Sequence, residues 1–291
     1  VGFRERNGRY VADIQSCPVL DKRLSKLLLP LSELIGALSC ADQIPQIEAS
    51  AGDEDLVLLL RHLAPLSQED ALRLARFASE HGLHWYLQSG GPDTVRPLEQ
   101  AVTLAYAMPE HGVRIEFGPA DFIQVNADLN QSMVGQALSL LQPEPGQTVL
   151  ELFAGLGNFT LPLAKAGLRV TAVEGAEELV AKGRANAEAH DLQVEYHAAD
   201  LFALTEAPEW LQRDYDRALL DPPRSGAAEM LPFLLRRPPA RIVYVSCHPG
   251  SLARDAGELV RGGYQLSAAG VMDMFPHTGH VESIACFDWV G

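Results

Sequence analysis

The feature that most constrains the fold of this chain is a regular alternation of short apolar strands and helices over residues 121–291. Runs such as Arg241–Ser246 are almost continuously apolar, which is typical of strands covered on both faces. Strands that alternate with helices form a parallel sheet with helices on either side. We therefore predict a doubly wound α/β domain over residues 121–291, preceded by a smaller α+β domain over residues 1–120.

Seven strands are predicted in the α/β domain. The last two are joined by a short connection that contains Pro276 and Gly279 but no helix, so they must pair as a hairpin with the final strand antiparallel to its neighbours. The strands are predicted at Thr148–Phe153, Arg169–Val173, Val194–His197, Arg217–Leu220, Arg241–Ser246, Tyr264–Met272 and Glu282–Trp289. The helices are predicted from an Asn126 cap to Leu141 and at Phe159–Ala166, Glu177–His190, Ala227–Leu235 and Ser251–Arg261.

The first 120 residues are less regular and contain no internal repeat or low-complexity tract. Their boundary with the α/β domain, near residue 120, rests on the change of pattern alone. Amphipathic helices are predicted at Asp21–Leu38 and Gln68–His81. Strands are predicted at Val1–Arg4, Leu56–His62, His84–Leu87 and Val113–Phe117.

The formal net charge of −15 disfavours a surface that binds nucleic acid throughout. Affinity for RNA comes mainly from neutralising phosphates, so RNA binding would need a local basic patch or a further segment. No apolar run reaches the length of a membrane span, and we expect no membrane partner. The chain begins at Val1 rather than Met, inside a predicted strand, and we expect it to be part of a longer protein.

The four cysteines are widely spaced along the chain, and no two of them have the spacing of a metal-binding pair. This spacing argues against a disulfide framework and for a reducing compartment. We therefore expect a cytoplasmic protein. The cysteines are Cys17, Cys40, Cys247 and Cys286.

A glycine-rich turn follows the first strand of the α/β domain, where Gly155 and Gly157 allow a close approach of the backbone to a ligand. A dinucleotide fingerprint would require a third glycine where Thr160 stands, which disfavours a nicotinamide oxidoreductase. Glu174 ends the second strand, where a carboxylate can accept ribose hydroxyls, and Asp200 ends the third, where one can accept from an adenine amine. Either acid alone would be an ordinary polar residue at a strand end. Together with the turn they predict a nucleotide-type ligand.

Three reactive side chains fall at the same predicted edge of the sheet. Cys247 ends the fifth strand, although an isolated cysteine is more often a small buried hydrophobe. Asp221 ends the fourth strand in the motif Asp-Pro-Pro-Arg-Ser-Gly, which by itself could be only a rigid turn. Glu282 enters the last strand, where a lone glutamate is usually a surface residue.

These blocks, in this order, resemble the signature of the RNA (uracil-5-)-methyltransferase family. The segment from Gly2 to Leu20 is similar to the bacterial 23S ribosomal RNA branch of that family. The likeness spans nearly the whole chain and is most specific over residues 121–291. The motifs that carry it are Phe122–Asn126, Glu151–Asn158, Asp221–Gly226, Val245–Cys247 and His280–Glu282.

The resemblance implies a class I methyltransferase fold, Rossmann-like and seven-stranded, that binds S-adenosylmethionine and acts on RNA, with 23S ribosomal RNA as the expected substrate. It implies that Cys247 is the nucleophile and Glu282 the base. Asp200 stands where relatives often carry Asn. We expect a monomer. The implied cofactor-binding residues are Gln124, Phe153, Asn158, Glu174, Asp200 and Asp221.

The 23S branch also carries an RNA-binding TRAM domain and a four-cysteine iron–sulfur site. Only Cys17 matches a ligand of that site, the last of the four. The other three ligands would lie upstream of this chain. The resemblance therefore implies an iron–sulfur cluster only in a longer protein, and the acidic charge of this chain would then reflect the loss of part of the RNA-binding surface.

The chemistry of uracil methylation independently requires this pair of residue types. Uracil C5 is too weak a nucleophile to attack a methyl sulfonium, but a thiolate that adds to C6 creates an enolate with electron density at C5. A carboxylate must then remove the C5 proton before the cysteine can leave. A base within a duplex must also be extruded to be reached.

Several alternatives are distinguished by particular residues. RNA 5-methylcytidine methyltransferases typically place the nucleophile in the fourth-strand motif, where this chain has Arg224 after Pro223. Amino-group methyltransferases place an aromatic residue at the position of Arg224. A tRNA 5-methyluridine methyltransferase and a non-catalytic RNA-binding protein of the same fold remain open, although the presence of both Cys247 and Glu282 disfavours the latter.

Overall fold

The computed structural model describes residues 1–5 and 10–291 of the chain. These residues form two compact units, one made of Val1–Tyr106 with Glu116–Val125 and the other of Ala107–Ile115 with Asn126–Gly291. In the described part of the chain no helix is both long enough and apolar enough to cross a bilayer. The proposed domain boundary at residue 120 lies within the segment Glu116–Val125.

The second unit contains a seven-stranded sheet in the order β11-β10-β9-β12-β13-β15-β14. Its first five strands are parallel, and β15 is antiparallel to both of its neighbours, so the predicted α/β fold with an antiparallel last strand is confirmed. The strands are β9 (Thr148–Leu152), β10 (Arg169–Glu174), β11 (Val194–Ala198), β12 (Arg217–Leu220), β13 (Arg241–Ser246), β14 (Tyr264–Met272) and β15 (Glu282–Trp289). The helices are α4 (Ala127–Leu141), α5 (Thr160–Lys165), α6 (Glu177–Glu188), α7 (Leu231–Arg236) and α8 (Pro249–Arg261).

The first unit is built on a four-stranded sheet in the order β3-β4-β5-β6, with a separate two-stranded sheet of β1 and β2. A further two-stranded sheet is formed by β7 and β8. The strands are β1 (Gly2–Arg4), β2 (Val11–Asp13), β3 (Gln46–Ala51), β4 (Leu56–Arg61), β5 (His84–Gln88), β6 (Arg96–Pro97), β7 (Leu104–Met108) and β8 (Val113–Phe117). The helices are α1 (Lys22–Ser25), α2 (Leu28–Gly36) and α3 (Gln68–His81).

The single helix predicted over Asp21–Leu38 is wrong, because the structure has two short helices there. Pro30 explains the break: its ring would clash with the carbonyl of Lys26 in a continuous helix, and proline has no N–H to donate to that carbonyl. Strand β3 was not predicted, since Gln-Ile-Glu-Ala-Ser-Ala has a single β-branched residue, Ile47, and no aromatic residue. It forms because the neighbouring β4 supplies a fully buried partner.

The helix predicted at Ala227–Leu235 instead begins at Leu231. Gly226 donates to the carbonyl of Pro223, and Ala227 donates to a side chain of α8, so these residues form a turn before the helix. The other elements predicted in the second unit are confirmed to within two residues at each end.

The core of the second unit lies between the sheet and its helices. Leu150, Leu220 and Tyr244 come from three neighbouring strands and are at most 1% exposed. Burying each such side chain stabilises the fold by about 1.5–3 kcal/mol. This packing fixes which strands are neighbours and therefore which residues meet at the edge of the sheet.

Candidate active site

The parallel strands of the second unit end at one edge of the sheet. Leu152 at the end of β9 pairs with Leu220 of β12, and Leu220 pairs with Tyr244 of β13. The residues that follow these strands therefore lie side by side, at the edge where open α/β sheets bind ligands. They are Phe153 after β9, Asp221 after β12 and Cys247 after β13, with Glu174 as the last residue of β10.

The backbone around Cys247 is held on both sides. The main-chain N–H of His248 donates to Ser246 Oγ over 3.1 Å, and Ser283 Oγ donates to the carbonyl of Ser246 over 3.0 Å. Helix α8 begins immediately afterwards, where His248 Nδ1 accepts a hydrogen bond from the N–H of Ser251 over 3.1 Å. The half-buried Cys247 thus lies in a short, fixed turn between a strand and a helix.

The antiparallel register of β13 and β15 brings Cys247 close to Glu282. Ser246, the last residue of β13, pairs with Ser283, so Cys247 and Glu282 are the next residues of the two segments at this end of the pair. The charge of Glu282 acts on the thiol of Cys247. Glu282 is only 4% exposed, and burial raises the pKa of its carboxyl group.

The thiol of Cys247 lies in an environment that favours its neutral form. Burial is the largest cause of its raised pKa, followed by the negative charges of Glu282 and Asp221, while Arg224 acts in the opposite direction. Burial, together with the charge of Glu282, raises the pKa of Asp221 to about 7. A cysteine, two acids and a guanidinium therefore influence one another at this edge.

The carboxylate of Glu174 organises the glycine-rich turn. Its Oε2 accepts from the N–H of Gly155 over 3.0 Å, and its Oε1 accepts from Gly175 and Ala176 over 2.8 and 3.1 Å. Gly155 has a φ of +54°, and a Cβ there would have no atom within 4 Å. The turn is therefore open on the side where a side chain would stand.

Asn158 and Phe153 are also held at this edge. The amide of Asn158 pairs reciprocally with that of Asn130 in α4, over 2.8 and 2.9 Å. The ring of Phe153 lies 5.6 Å from that of Phe202. The structure thus brings Phe153, Asn158, Glu174 and Asp221 to the end of the sheet that also carries Cys247 and Glu282.

The remaining predicted residues are placed differently. Asp200 is exposed, and its Oδ1 accepts from the N–H of Phe202 over 2.9 Å. Gln124 belongs to the first unit, and its Oε1 is buried without a hydrogen-bond partner among the described residues. Cys17 is half-buried in the first unit, and within residues 1–5 and 10–291 no three His, Cys, Asp or Glu side chains cluster as a metal site. Its role as an iron–sulfur ligand stays a prediction.

Glu151 is a residue of this edge to which sequence reasoning gave no role of its own. It lies inside β9, is 1% exposed, and its Oε2 has no hydrogen-bond partner among the described residues. Burial is the main cause that raises its pKa to about 8, with the charges of Asp221 and Glu174 adding to the effect. The signal was visible as one acid in the apolar run Val-Leu-Glu-Leu, but nothing in the sequence shows that it is neutral.

The neutral state of Glu151 predicts a pH-dependent stability. In the unfolded chain its carboxyl has the ordinary glutamate pKa of about 4.5, whereas in the folded protein burial raises the pKa to about 8. This residue therefore disfavours folding increasingly as the pH rises between those values, and its effect is constant above them. We expect Glu151→Gln to be more stable than the wild type by a few kcal/mol at pH 8 but not at pH 5. Thermal unfolding at both pH values measures this, with the exposed Glu177→Gln as control; an equal change in Tm at both would contradict it.

Comparison with known proteins identifies the family. The profile of the tRNA (uracil-5-)-methyltransferase family matches residues 102–288, which is more than half of the chain. The chain belongs to this family. The family predicted from the motifs is thereby confirmed.

Members of the family with known names are similar over nearly the whole chain. The 23S rRNA (uracil(1939)-C(5))-methyltransferase RlmD of Alkalilimnicola ehrlichii is 54% identical over 99% of this chain, which covers 65% of that protein. The enzyme of the same name from Aromatoleum aromaticum is 48% identical over 99% of the chain, which covers 68% of it. The chain thus spans about two thirds of the length of these family members.

A solved structure of similar fold is that of the Pyrococcus abyssi tRNA (uracil-54, C5)-methyltransferase in complex with S-adenosyl-L-homocysteine. It matches with a TM-score of 0.73 at 24% identity, over 98% of this chain and 72% of that one. At this identity the likeness concerns the fold, and it agrees with the class I methyltransferase fold expected of the family.

Proposed function

We propose that this protein methylates C5 of uridine in RNA, with S-adenosylmethionine as methyl donor and 23S ribosomal RNA as substrate. The observation that supports this most is the register of β13 and β15, which brings Cys247 close to Glu282. The chemistry needs one thiol and one carboxylate on the same uracil ring, and the pairing of Ser246 with Ser283 supports this role for the residues next to them, Cys247 and Glu282. The names of its relatives supply the substrate class.

The residues at the edge fit the proposed cofactor. Gly155 leaves open space beside the turn, and Glu174 Oε2 accepts only one backbone hydrogen bond, so it retains a lone pair for a ribose hydroxyl. Asp200 is exposed and keeps its Oδ2 available to accept from an adenine amine. When bound, S-adenosylmethionine supplies an electrophilic methyl group. Under this proposal Phe153, Asn158 and Asp221 complete the pocket, and the role of Gln124 stays a prediction from the resemblance.

The proposed mechanism begins with the extrusion of the target uridine from its helix. The thiol of Cys247 loses its proton to water and the thiolate adds to C6, so a C–S bond forms and the electrons of the C5–C6 double bond move onto C5 and the O4 carbonyl. The raised pKa of the free thiol means that the neutral form predominates until substrate binds. Arg224 is the charge at this site that favours the thiolate.

Glu282 completes the reaction. Once C5 carries the methyl group it still holds its own proton, and Glu282 removes that proton. The electron pair of the C5–H bond forms the C5–C6 double bond as the C6–S bond breaks, and Cys247 leaves as the thiolate. Burial raises the pKa of Glu282. The fraction of Glu282 that is ionised and can act as a base therefore increases as the pH rises through that raised pKa, and the rate of this step increases with it.

The experiment that tests the function is a methylation assay with isotopically labelled S-adenosylmethionine and two RNAs, a 23S ribosomal RNA fragment and a tRNA. Digestion to nucleosides and mass spectrometry should find 5-methyluridine in the ribosomal fragment. A product of 5-methylcytidine, or a methylated amino group, would contradict the proposed chemistry. Methylation of the tRNA alone would instead identify the chain as a tRNA enzyme.

The remaining expectations belong to the same proposal. The protein works in the cytoplasm as a monomer, with a catalytic domain over residues 121–291 and a central domain over residues 1–120. An iron–sulfur cluster that includes Cys17 is proposed only for a longer protein, in which three other cysteines would complete the set of ligands.

A further inference from the structure

We propose that Asp255 is a positioning residue of the active site: through Arg254 and Tyr244 it locks the Asp221–Ala227 turn onto the strand and helix that flank Cys247. This inference rests on the proposed function, because it assigns a role in placing the catalytic thiol relative to Asp221 and Arg224. None of the motifs singled out in the sequence contains Asp255.

Asp255 is a fully buried charge whose bonds reach three elements. Its Oδ2 accepts from the main-chain N–H of Ala227 over 2.8 Å and from the hydroxyl of Tyr244 over 2.6 Å. Its Oδ1 accepts from Nε and Nη2 of Arg254, over 2.8 and 2.7 Å. The side chain is 0% exposed, and a buried carboxylate is retained only when its lone pairs are satisfied in this way.

Arg254 binds the other side of the turn. We call the contacts of Asp255, Arg254 and Tyr244 that hold this turn the lock. Its Nη2 also donates to the carbonyl of Ser225 over 2.8 Å, so Ser225 and Ala227, on either side of Gly226, are held by one Arg–Asp pair. Between them, Gly226 has a φ of +85°, and a Cβ there would lie 2.5 Å from Arg254 Nη2 and 2.6 Å from Asp255 Oδ2. The turn and the ion pair are thus in such close contact that only glycine fits between them.

The lock connects the segments on either side of Cys247 with the turn whose charged side chains act on its thiol. Tyr244 lies on β13, three residues before Cys247. Asp255 lies on α8, which begins two residues after Cys247. The turn carries Asp221 and Arg224, which act on the thiol in opposite directions, with Asp221 the stronger. The position of the turn therefore sets the electrostatic environment of the thiol.

Replacing Asp255 should change the reactivity of Cys247 without RNA or cofactor present. In Asp255→Asn one oxygen becomes an NH₂ group, so a donor must face either Arg254 or the donors of Ala227 and Tyr244. We expect the turn to loosen and the Asp221 carboxylate to move into water. The midpoint of Cys247 alkylation with pH should then fall by roughly 0.5–1 unit, because the thiolate is the reactive species.

The measurement is the rate of iodoacetamide labelling of each cysteine between pH 6 and pH 10, followed by peptide mass spectrometry of the full chain. Cys286 reports global unfolding, since it is 2% exposed in β15 of the same unit. Asp216→Asn is the matched control: its carboxylate also accepts a backbone N–H and a hydroxyl, both from Thr148, at the opposite edge of the sheet. The control should leave the Cys247 profile unchanged.

The outcomes separate this proposal from the proposed function. A lowered Cys247 midpoint with Cys286 still protected supports the lock, and in the methylation assay the same variant should lose at least about tenfold in kcat with little change in KM for RNA. If Asp255→Asn exposes Cys286, the Cys247 profile is measured in Arg254→Met and Tyr244→Phe instead. Each of these variants removes one side chain that donates to Asp255. An unchanged Cys247 profile in folded variants overturns the proposal. Failure of the wild type to methylate RNA would overturn the function alone.

Discussion

Replacement of Cys247 by alanine is expected to abolish methylation and to abolish covalent attachment to RNA. The half-buried Cys247 is the only cysteine among the described residues that lies at the carboxyl edge of the parallel strands. Without a thiolate bonded to C6, uracil C5 stays too weak a nucleophile, so no slower route through the same site is available. The expected loss is therefore complete within detection.

The assay uses RNA in which the target is 5-fluorouridine, because fluorine at C5 cannot be removed as a proton and the adduct persists. Wild-type protein should give a covalent complex with RNA on a denaturing gel, and Cys247→Ala should give none. Cys286→Ala is the matched control, since Cys286 is buried in the second unit and has no proposed role. Methylation by Cys247→Ala, or loss of the complex in Cys286→Ala, would contradict the assignment of the nucleophile.

Replacement of Glu282 by glutamine is expected to leave the attack and the methyl transfer intact and to stop the reaction one step later. The amide is nearly isosteric with the carboxyl group but cannot accept the C5 proton as a base. A general base contributes roughly 10²–10⁴-fold to a rate, so turnover should fall by that factor. The protein should accumulate as a covalent complex with RNA that already carries the methyl group.

With ordinary uridine RNA and labelled methyl donor, the Glu282→Gln complex should retain the label on a denaturing gel. The exposed Glu258→Gln on α8 is the control and should turn over at the wild-type rate. Release of free 5-methyluridine by Glu282→Gln at a near wild-type rate would show that Glu282 is only a strand residue. A complex without label would mean that Glu282 is needed before methyl transfer.

The two variants also test the register of the sheet. A thiol and a carboxylate can act on adjacent atoms of one ring only if β13 and β15 keep the pairing of Ser246 with Ser283. A shift by one residue would turn every side chain of β15 to the opposite face. The proposed chemistry therefore depends on the pairing of two strands that are distant in sequence.

Much of the fold was predictable from the sequence, because the signals for its elements are local. The apolar run Arg241–Ser246 and the short link before Glu282 determined a buried parallel strand and an antiparallel hairpin. The same logic located Glu174, Asp221 and Cys247 at one edge, since carboxyl ends of parallel strands meet there. The prediction of one helix over Asp21–Leu38 was wrong, because Pro30 prevents a continuous helix there.

Only the tertiary structure decided how these residues act on one another. The proximity of Cys247 and Glu282 comes from a specific strand register, and the lock of Asp255 on the Asp221–Ala227 turn comes from a hydrogen bond between α8 and Ala227. The neutral state of Glu151 follows from complete burial. The sequence alone determined which chemical groups reach this edge, because strand ends and motifs are local features. The distances between these groups and their protonation states depend on long-range packing and desolvation, which no local pattern encodes.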